Sequence, residues 1–284
     1  MILDSHQHFW KYDPARDGWI TDEMSLIKRD FFPEELQREC GANGVDGTVV
    51  VQVDQSEDET LFLLDLAEKH QFIAGVVGWI DLRSPAIEER LRSFSQYRKL
   101  RGFRHIAQAE PDDQFLVGRD FTRGIALLRE FGFVYDILVY PKQLPAAIEL
   151  VSRFPEQSFV VDHMAKPPIK FGSLEPWESY IRTIAQNTNV FCKVSGLVTE
   201  ADWLHWKSAD IHPYLDVVFD AFGPERLMFG SDWPVCLLAA TYGQVKGVIE
   251  KYVDAHAAQH KENIFGGNAI RFYGLKAAPR GLAA

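Results

Sequence analysis

Two histidines near the start of the chain, His6 and His8, are spaced so that their side chains project from the same face of a β-strand. They follow a short apolar segment, residues 2–4, which is predicted to be the first strand. Two imidazoles on one face can hold a metal ion or polarise a substrate carbonyl. The pair alone is equally compatible with a structural role, but its position at a strand end favours chemistry.

Ionisable side chains also end the fourth predicted strand, residues 100–104. Arg104 is the last residue of this segment, and His105 and Glu110 follow it closely. The planar guanidinium of arginine suits a carboxylate or a lactone carbonyl, so Arg104 and the adjacent His105 are candidates for substrate binding. The alternative for Arg104 is an ion pair inside the fold.

The sixth predicted strand, residues 158–162, ends in a similar cluster. Asp162 and His163 are adjacent, and Lys166 follows as a second cation for substrate binding. Asp162 can orient His163, but capping of a loop is an equally good explanation for this aspartate.

The last two predicted strands supply a lysine and an aspartate. Lys193 lies in the segment 190–194, and Asp232 follows the segment 227–230. A carboxylate at the end of the last strand can take a proton from water that attacks a carbonyl. Asp232 is therefore the first candidate for a general base.

Eight apolar segments position these residues, and continuous apolar runs suit strands that are covered on both faces. The segments are residues 2–4, 47–53, 73–80, 100–104, 133–139, 158–162, 190–194 and 227–230. Predicted helices alternate with them, beginning at Pro33 and continuing over 57–70, 84–98, 119–131, 141–154, 174–187 and 209–222. This alternation predicts an α/β fold, a (β/α)8 TIM barrel that forms a single domain over residues 1–284. The tail after about residue 275 is predicted to be flexible.

The region 18–32 has no clear period and comes soon after the first strand. It is predicted to be an extended loop over the carboxyl ends of the strands, where insertions shape substrate pockets. Trp19 from this loop, with Trp10 and Trp233, can form aromatic walls of such a pocket. Plain packing of these rings is an equal alternative.

The amino-acid composition limits the kinds of molecule that the protein is expected to bind. The formal net charge of −10 attracts neither a nucleic acid nor an anionic membrane, so neither is expected to bind. No segment has the roughly 18 consecutive apolar residues of a membrane span, and no secretory signal is visible. Three scattered cysteines predict reduced thiols in a cytoplasmic protein. A small molecule is the expected partner.

Taken in order along the chain, these motifs resemble the amidohydrolase superfamily, in particular the amidohydrolase-2 group of TIM-barrel hydrolases. Within that group the chain is most similar to sugar lactonases that act on L-fucono- and L-rhamnono-lactones. The matching pieces span nearly the whole chain: DSHQHFW at 4–10, GFRH at 102–105, DHMAKP at 162–167, KVSGL at 193–197, FGSDWP at 229–234, and GNA at 267–269 with Arg271 and Tyr273.

The resemblance implies a separate role for each group of candidate residues. The eighth-strand aspartate, Asp232, acts on water, while His6, His8 and His163 are catalytic groups that polarise the lactone. Family members include homodimers, so a homodimer is an expectation here.

The resemblance also bears on metal binding. Metal-dependent members usually carry a further histidine at the end of strand 5, and the segment 133–139 has none. This departure argues against a binuclear site. It leaves a site for a single zinc or other divalent ion, formed by His6, His8, Glu110 and Asp232, with the metal not essential.

The leading hypothesis is hydrolysis of a sugar lactone to its aldonic acid, a reaction at a carboxylic ester bond in carbohydrate metabolism. The alternative is metal-dependent decarboxylation or C–N hydrolysis, as in other members of the superfamily. A non-catalytic binding barrel is a third reading. It is disfavoured because burying so many ionisable groups at strand ends is costly without a function.

Overall fold

The computed structural model describes residues 1–276, and its centre is a barrel of eight parallel strands. The strands are β1 Leu3–Gln7, β2 Gly47–Val51, β3 Ile73–Gly78, β4 Leu100–His105, β5 Val134–Ile137, β6 Phe159–Val161, β7 Val190–Val194 and β8 Leu227–Phe229. Each strand pairs in parallel with the next one along the chain. The predicted (β/α)8 barrel is confirmed. The predicted flexible tail, from residue 277 onward, lies outside the described residues.

Helices surround the barrel. They are α1 Pro33–Ala42, α2 Glu57–Lys69, α3 Ile87–Phe94, α4 Arg119–Leu128, α5 Leu144–Arg153, α6 Trp177–Ile184, α7 Ser208–Phe222, α8 Tyr242–His256 and α9 Asn268–Tyr273. Helices α1 to α7 overlap the predicted ones, whereas α8 and α9 were not predicted. Sequence signals mark the starts of α1 and α2. Pro33 is the first residue of α1, and the Ser56 side chain caps α2 by accepting a hydrogen bond from the Glu59 N–H at 3.2 Å.

The barrel closes through residues that follow β8. Gln7 of β1 forms a parallel bridge with Trp233. The Asp232 N–H donates to the His6 carbonyl at 2.8 Å, and the His8 N–H donates to the Trp233 carbonyl at 2.7 Å. The backbone bonds that close the barrel therefore also place Asp232 beside the two histidines of β1.

The interior of the barrel changes from apolar to polar along its axis. An apolar cluster, closed by α9, fills the end nearest the amino termini of the strands: Leu3, Val49, Val51, Val77, Val134, Val160, Met228, Ala269, Phe272, Tyr273 and Leu275. Beyond this cluster the enclosed side chains are charged, beginning with the fully buried Asp136 and Lys193. The Tyr273 hydroxyl joins the two zones by donating to Asp136 Oδ2 at 2.9 Å. The side chains that could take part in chemistry therefore lie toward the carboxyl ends of the strands, where the sites of such barrels are found.

The loop predicted over the carboxyl ends is present. It contains a short 3-10 helix, Asp22–Ile27, and is anchored to the chain after β1. Backbone bonds join Trp10 and Phe31 in both directions, at 3.1 and 2.9 Å, and the Trp10 indole donates to the Arg29 carbonyl at 2.8 Å. These anchors hold Trp19 and Met24 at the rim of a cavity.

Two glycine substitutions should have opposite effects on stability. A Cβ at Gly230, just after β8, would lie 2.7 Å from His6 Cβ, whereas a Cβ at Gly247 in α8 would meet no heavy atom within 4 Å. We expect Gly230→Ala to lower the free energy of unfolding by about 1–3 kcal/mol through overpacking. Gly247→Ala should raise it by about 0.5–1 kcal/mol through helix propensity. Urea denaturation followed by circular dichroism measures both, and equal effects would contradict this packing.

Candidate active site

A cavity of about 690 Å³ opens at the carboxyl ends of the barrel strands. Its deep end is polar and its rim is aromatic. The deep residues are His8, Arg104, His163, Lys166 and Asp232, and the rim includes Trp19, Met24, Tyr140 and Trp203. The volume lies within the range typical of small-molecule sites, roughly 300–1,000 Å³.

Three histidines and one aspartate form a compact cluster at the cavity floor. His6 Nε2 lies 3.2 Å from His8 Nε2, and His8 Nε2 lies 3.3 Å from Asp232 Oδ1. His163 Nε2 lies 3.9 Å from the same Asp232 oxygen. The structure therefore brings together all four residues predicted to be catalytic, with His6 fully buried beneath the others.

A backbone carbonyl fixes the orientation of His8. Its Nδ1 lies 2.7 Å from the carbonyl oxygen of Val51, at the end of β2. A carbonyl only accepts hydrogen bonds, so in the neutral ring Nδ1 carries the proton and the Nε2 lone pair faces the cavity. His8 can therefore accept a hydrogen bond or bind a metal ion at Nε2.

Four charged side chains lie beneath this floor, and we call them the buried charge network: Arg104, Asp136, Asp162 and Lys193. Lys193 Nζ lies 2.5 Å from Asp136 Oδ2 and 2.9 Å from Asp162 Oδ1. Arg104 Nη1 donates to Asp162 Oδ2 at 3.0 Å. Two cations and two carboxylates balance in charge, which makes their burial tolerable because each has a paired partner.

The buried charge network sets the ionisation of its neighbours. Burial and the adjacent Lys193 hold the pKa of His6 well below its usual range, so this imidazole is neutral. Burial alone would raise the pKa of Asp162, but the Lys193 ammonium, together with Arg104, holds it well below its usual range. Burial raises the pKa of Asp136 to about 6 despite the Lys193 ammonium.

The segment that presents His163 and Lys166 has an unusual backbone. The four residues from His163 to Lys166 all adopt the left-handed conformation, with φ between 51° and 56°. Each such residue costs roughly 1–2 kcal/mol in the absence of compensation. Gly196 permits the arrangement, because a Cβ there would lie 2.7 Å from His163 Nδ1. Strain of this kind is concentrated at functional sites.

His163 and Lys166 each have one polar partner outside the cluster. His163 Nδ1 lies 2.9 Å from Ser195 Oγ, which follows β7. Lys166 Nζ donates to Glu200 Oε1 at 3.1 Å. Burial lowers the pKa of Lys166, but Glu200, Tyr140 and Asp232 raise it more, so it remains a cation at the cavity wall.

Asp232 has the geometry and charge of a proton acceptor. It also adopts a left-handed backbone conformation, with φ of 58°. Burial raises the pKa of its carboxyl group, but neighbouring groups, His163 first, more than offset this effect, and the net pKa lies below the ordinary value. Asp232 is therefore ionised at neutral pH and lines the cavity.

Two predicted site residues, His105 and Glu110, lie outside the cavity lining, which corrects their predicted roles. His105 Nε2 lies 2.7 Å from Glu110 Oε1, and the His105 ring stacks on Phe115 with centroids 4.5 Å apart. Successive side chains of β4 alternate, so an inward Arg104 requires an outward His105. Glu110 is held by His105 and does not join the cluster of potential metal ligands.

Trp10 and Trp233 likewise lie behind the cavity wall, at 2% and 1% exposure. Both rings pack edge-on against Phe31, each with a centroid distance of 5.2 Å. They anchor the loop over the strands rather than line the cavity. The tryptophans at the rim are Trp19, which was predicted, and Trp203, which was not.

Comparison with known proteins identifies the family. The family model described as amidohydrolase matches residues 3–275. The chain belongs to the amidohydrolase family. An L-fucono-1,5-lactonase from Burkholderia multivorans is 43% identical, over 96% of this chain and 96% of that protein. A second L-fucono-1,5-lactonase, from Burkholderia ambifaria, is 38% identical over 95% of this chain and 94% of its own length.

A solved amidohydrolase structure is similar throughout. The crystal structure of an amidohydrolase from Burkholderia multivorans with bound zinc has a TM-score of 0.93 and 42% sequence identity. It covers 97% of this chain and 100% of that chain. Because the structure of this relative contains zinc, the question for the present amidohydrolase is whether its own side chains can bind a divalent cation.

The donor set of this amidohydrolase fits a divalent cation. Ligand atoms of His6, His8 and Asp232 all lie within 4.8 Å of one another, and those of His6, Asp162 and His163 form a second group of this kind. Imidazole nitrogen and carboxylate oxygen are preferred zinc ligands, and three protein ligands are typical of catalytic sites. The Val51 carbonyl on His8 Nδ1 is the kind of outer contact that orients a ligating histidine.

The sequence did not reveal which residues of separate strands pair with one another in the buried charge network. From the sequence, Lys193 is predicted only to lie in a strand, and neither Asp136 nor Gln52 is predicted to contact the site. Gln52 Oε1 accepts from Arg104 Nε at 3.1 Å and from Arg104 Nη2 at 2.9 Å. Asp136 and Lys193 each stand within an apolar strand, and a charge at such a position is a signal that could have found them.

Removal of one charge from the buried charge network should cost far more than removal of a surface charge. Asp162→Asn leaves Lys193 and Arg104 with too little compensation, so we expect the free energy of unfolding to fall by about 3–5 kcal/mol. The matched control is Asp220→Asn, which breaks an exposed pair with Arg182 and should cost at most about 1 kcal/mol. Urea denaturation compares the two, and similar losses would contradict the structural importance of Asp162.

Proposed function

We propose that this amidohydrolase hydrolyses a sugar lactone to its aldonic acid by attack of water on the ring carbonyl. The observation that carries the proposal is the meeting of an ionised Asp232 with His163, Arg104 and Lys166 at one cavity floor. A carboxylate base beside positive or hydrogen-donating groups is the equipment that ester hydrolysis requires. Near full-length similarity to two L-fucono-1,5-lactonases supports the same chemistry.

In this mechanism Asp232 takes a proton from water while the water oxygen bonds to the lactone carbonyl carbon. The developing oxyanion accepts hydrogen bonds from cavity donors, for which Lys166 and His163 are available, while Arg104, already bonded to Gln52 and Asp162, contributes its positive charge. A donor of this kind contributes roughly 3–4 kcal/mol to the transition state in comparable sites. Collapse of the oxyanion breaks the ring C–O bond, and the proton held by Asp232 passes to the leaving ring oxygen.

The rim of the cavity suits a sugar ring. Trp19 and Trp203 offer flat apolar faces, while Gln108, Asp54 and Glu200 offer polar atoms to hydroxyl groups. Gln108 Oε1 is buried and has no hydrogen-bond partner within the described residues. Such an atom favours a ligand that donates a hydrogen bond. A 1,5-lactone of the fucose type is the first substrate to test, because both curated relatives named above carry that activity.

We propose that a single divalent cation can bind but is not essential. His6, His8 and Asp232 would hold it, and when bound it would polarise the lactone carbonyl as a Lewis acid. Arg104 and Lys166 supply positive charge at the same cavity without a metal.

Several broader predictions also remain proposals. We propose one domain, a role in carbohydrate metabolism, and assembly as a homodimer. A cytoplasmic location is consistent with the three cysteines, Cys40, Cys192 and Cys236, which are all buried and unpaired. Within residues 1–276, no helix combines the length and apolar character needed to cross a membrane.

Turnover on lactones tests the activity and its base together. We expect acid release from L-fucono-1,5-lactone, followed by pH indicator, and a fall in kcat/KM of about 10²–10⁴ in Asp232→Asn because the base is lost. The matched control, Asp220→Asn on the outer face of α7, should keep the wild-type rate. No turnover on any of a panel of 1,4- and 1,5-lactones would refute the activity, and a fully active Asp232→Asn would refute the base.

Removal of metal by a chelator distinguishes lactone hydrolysis without an essential metal from the metal-dependent alternative. After dialysis against a chelator, we expect most lactone turnover to persist, because the cavity donors remain in place. Metal content by mass spectrometry is the control that removal succeeded. Turnover that disappears with the metal and returns with zinc would contradict the proposal and favour the metal-dependent alternative.

A further inference from the structure

The Lys193 ammonium group lies against three polar atoms. It is fully buried, and its Nζ lies 2.5 Å from Asp136 Oδ2, 2.9 Å from Asp162 Oδ1 and 3.0 Å from His6 Nδ1. An ammonium group has three donors and no acceptor. The contacts to Asp136 and His6 are hydrogen bonds, whereas Asp162 Oδ1 is an ion-pair partner that accepts no hydrogen bond within the described residues. The contact to His6 makes Nδ1 an acceptor.

An imidazole nitrogen that accepts a hydrogen bond carries no proton. Neutral imidazole has one protonated nitrogen, so acceptance at Nδ1 places the proton of His6 on Nε2. The nearest acceptor for that proton is His8 Nε2, at 3.2 Å, whose lone pair is free because His8 Nδ1 faces the Val51 carbonyl. Lys193, His6 and His8 thus form a chain of hydrogen bonds that all run in one direction.

Two other contacts of His6 favour the opposite tautomer, in which Nδ1 carries the proton. Both are longer than the contact from Lys193. Asp162 Oδ1 lies 3.4 Å from His6 Nδ1, and Arg104 Nη1 lies 3.3 Å from His6 Nε2. Arg104 Nη1 already has a shorter bond, at 3.0 Å, to Asp162. Hydrogen bonds weaken beyond about 3.2 Å, so the 3.0 Å contact from Lys193 decides the tautomer.

We propose that Lys193 is a positioning residue that holds His6 as the Nε2–H tautomer. His6 then directs a donor, not a lone pair, toward His8 and the cavity floor. Metal binding by His6 requires the Nε2 lone pair, so a cation must displace this tautomer before it gains its third ligand. The benefit for catalysis rests on the proposed function, whereas the tautomer and its effect on metal affinity do not.

Nitrogen NMR reads the tautomer directly in the metal-free protein. With ¹⁵N-labelled histidine, we expect His6 Nε2 to show the shift of a protonated nitrogen and Nδ1 that of an unprotonated one. The signals are assigned by their loss in His6→Gln. The reverse pattern in the wild-type protein would overturn the proposal, without any need for a Lys193 variant to fold.

A charge-balanced variant tests whether Lys193 is the cause. Lys193→Met combined with Asp136→Asn removes one charge of each sign from the buried charge network. We expect the His6 tautomer to reverse, because Asp162 becomes the only partner of Nδ1. Zinc affinity, measured by isothermal titration calorimetry, should rise by roughly 10-fold, because the Nε2 lone pair of His6 then faces the cation. The size is the lower end of the loss seen when a supporting outer contact is removed, with the opposite sign.

Lys166→Met is the control for loss of positive charge alone. It removes a cation from the cavity wall without touching His6, so it should leave the His6 tautomer unchanged. If the double variant keeps the wild-type tautomer, Lys193 does not set it. Failure of lactone turnover alongside the expected NMR pattern would refute the proposed function but leave this inference intact.

Discussion

The candidate active site depends on the burial of opposite charges inside the barrel. Lys193 and Arg104 lie against Asp136 and Asp162, and none of the four side chains is more than 4% exposed. An unpaired charge at this depth would cost several kcal/mol, so the four must be present together. Since Asp162 and Lys193 also contact His6, the same pairing that permits burial of the charges orients the first histidine of the candidate catalytic cluster.

Closure of the barrel provides the second constraint. The residues after β8 pair with β1 through Gln7 and Trp233, and this pairing fixes the separation of Asp232 from His8. The left-handed segment after β6 brings His163 to the other side of Asp232. Backbone geometry, rather than flexible side chains, therefore sets the distances within the cluster, as expected for a preorganised site.

Much of this arrangement could be predicted from the sequence. Apolar runs located all eight strands because parallel strands are buried on both faces, and the strand ends located His6, His8, His163, Arg104, Lys166 and Asp232. The direction in which each side chain projects was harder to predict. His105 projects away from the cavity because its neighbour Arg104 projects into the barrel, and proximity in sequence hid that difference.

The partners of Lys193 could not be predicted because they come from different strands. Asp136 lies in β5 and Asp162 follows β6, so only the closed barrel brings them to one ammonium group. Trp10 and Trp233 show the same limit: their packing on Phe31 depends on a loop whose course has no sequence period.

The most direct measurement of the central claim is a crystal structure of the Asp232→Asn protein with L-fucono-1,5-lactone bound. The proposed chemistry predicts the lactone carbonyl oxygen within hydrogen-bond distance of His163 or Lys166. It also predicts a water molecule between residue 232 and the carbonyl carbon. A lactone whose carbonyl points toward the Trp19 rim, with its hydroxyl groups on the cavity floor, would contradict it.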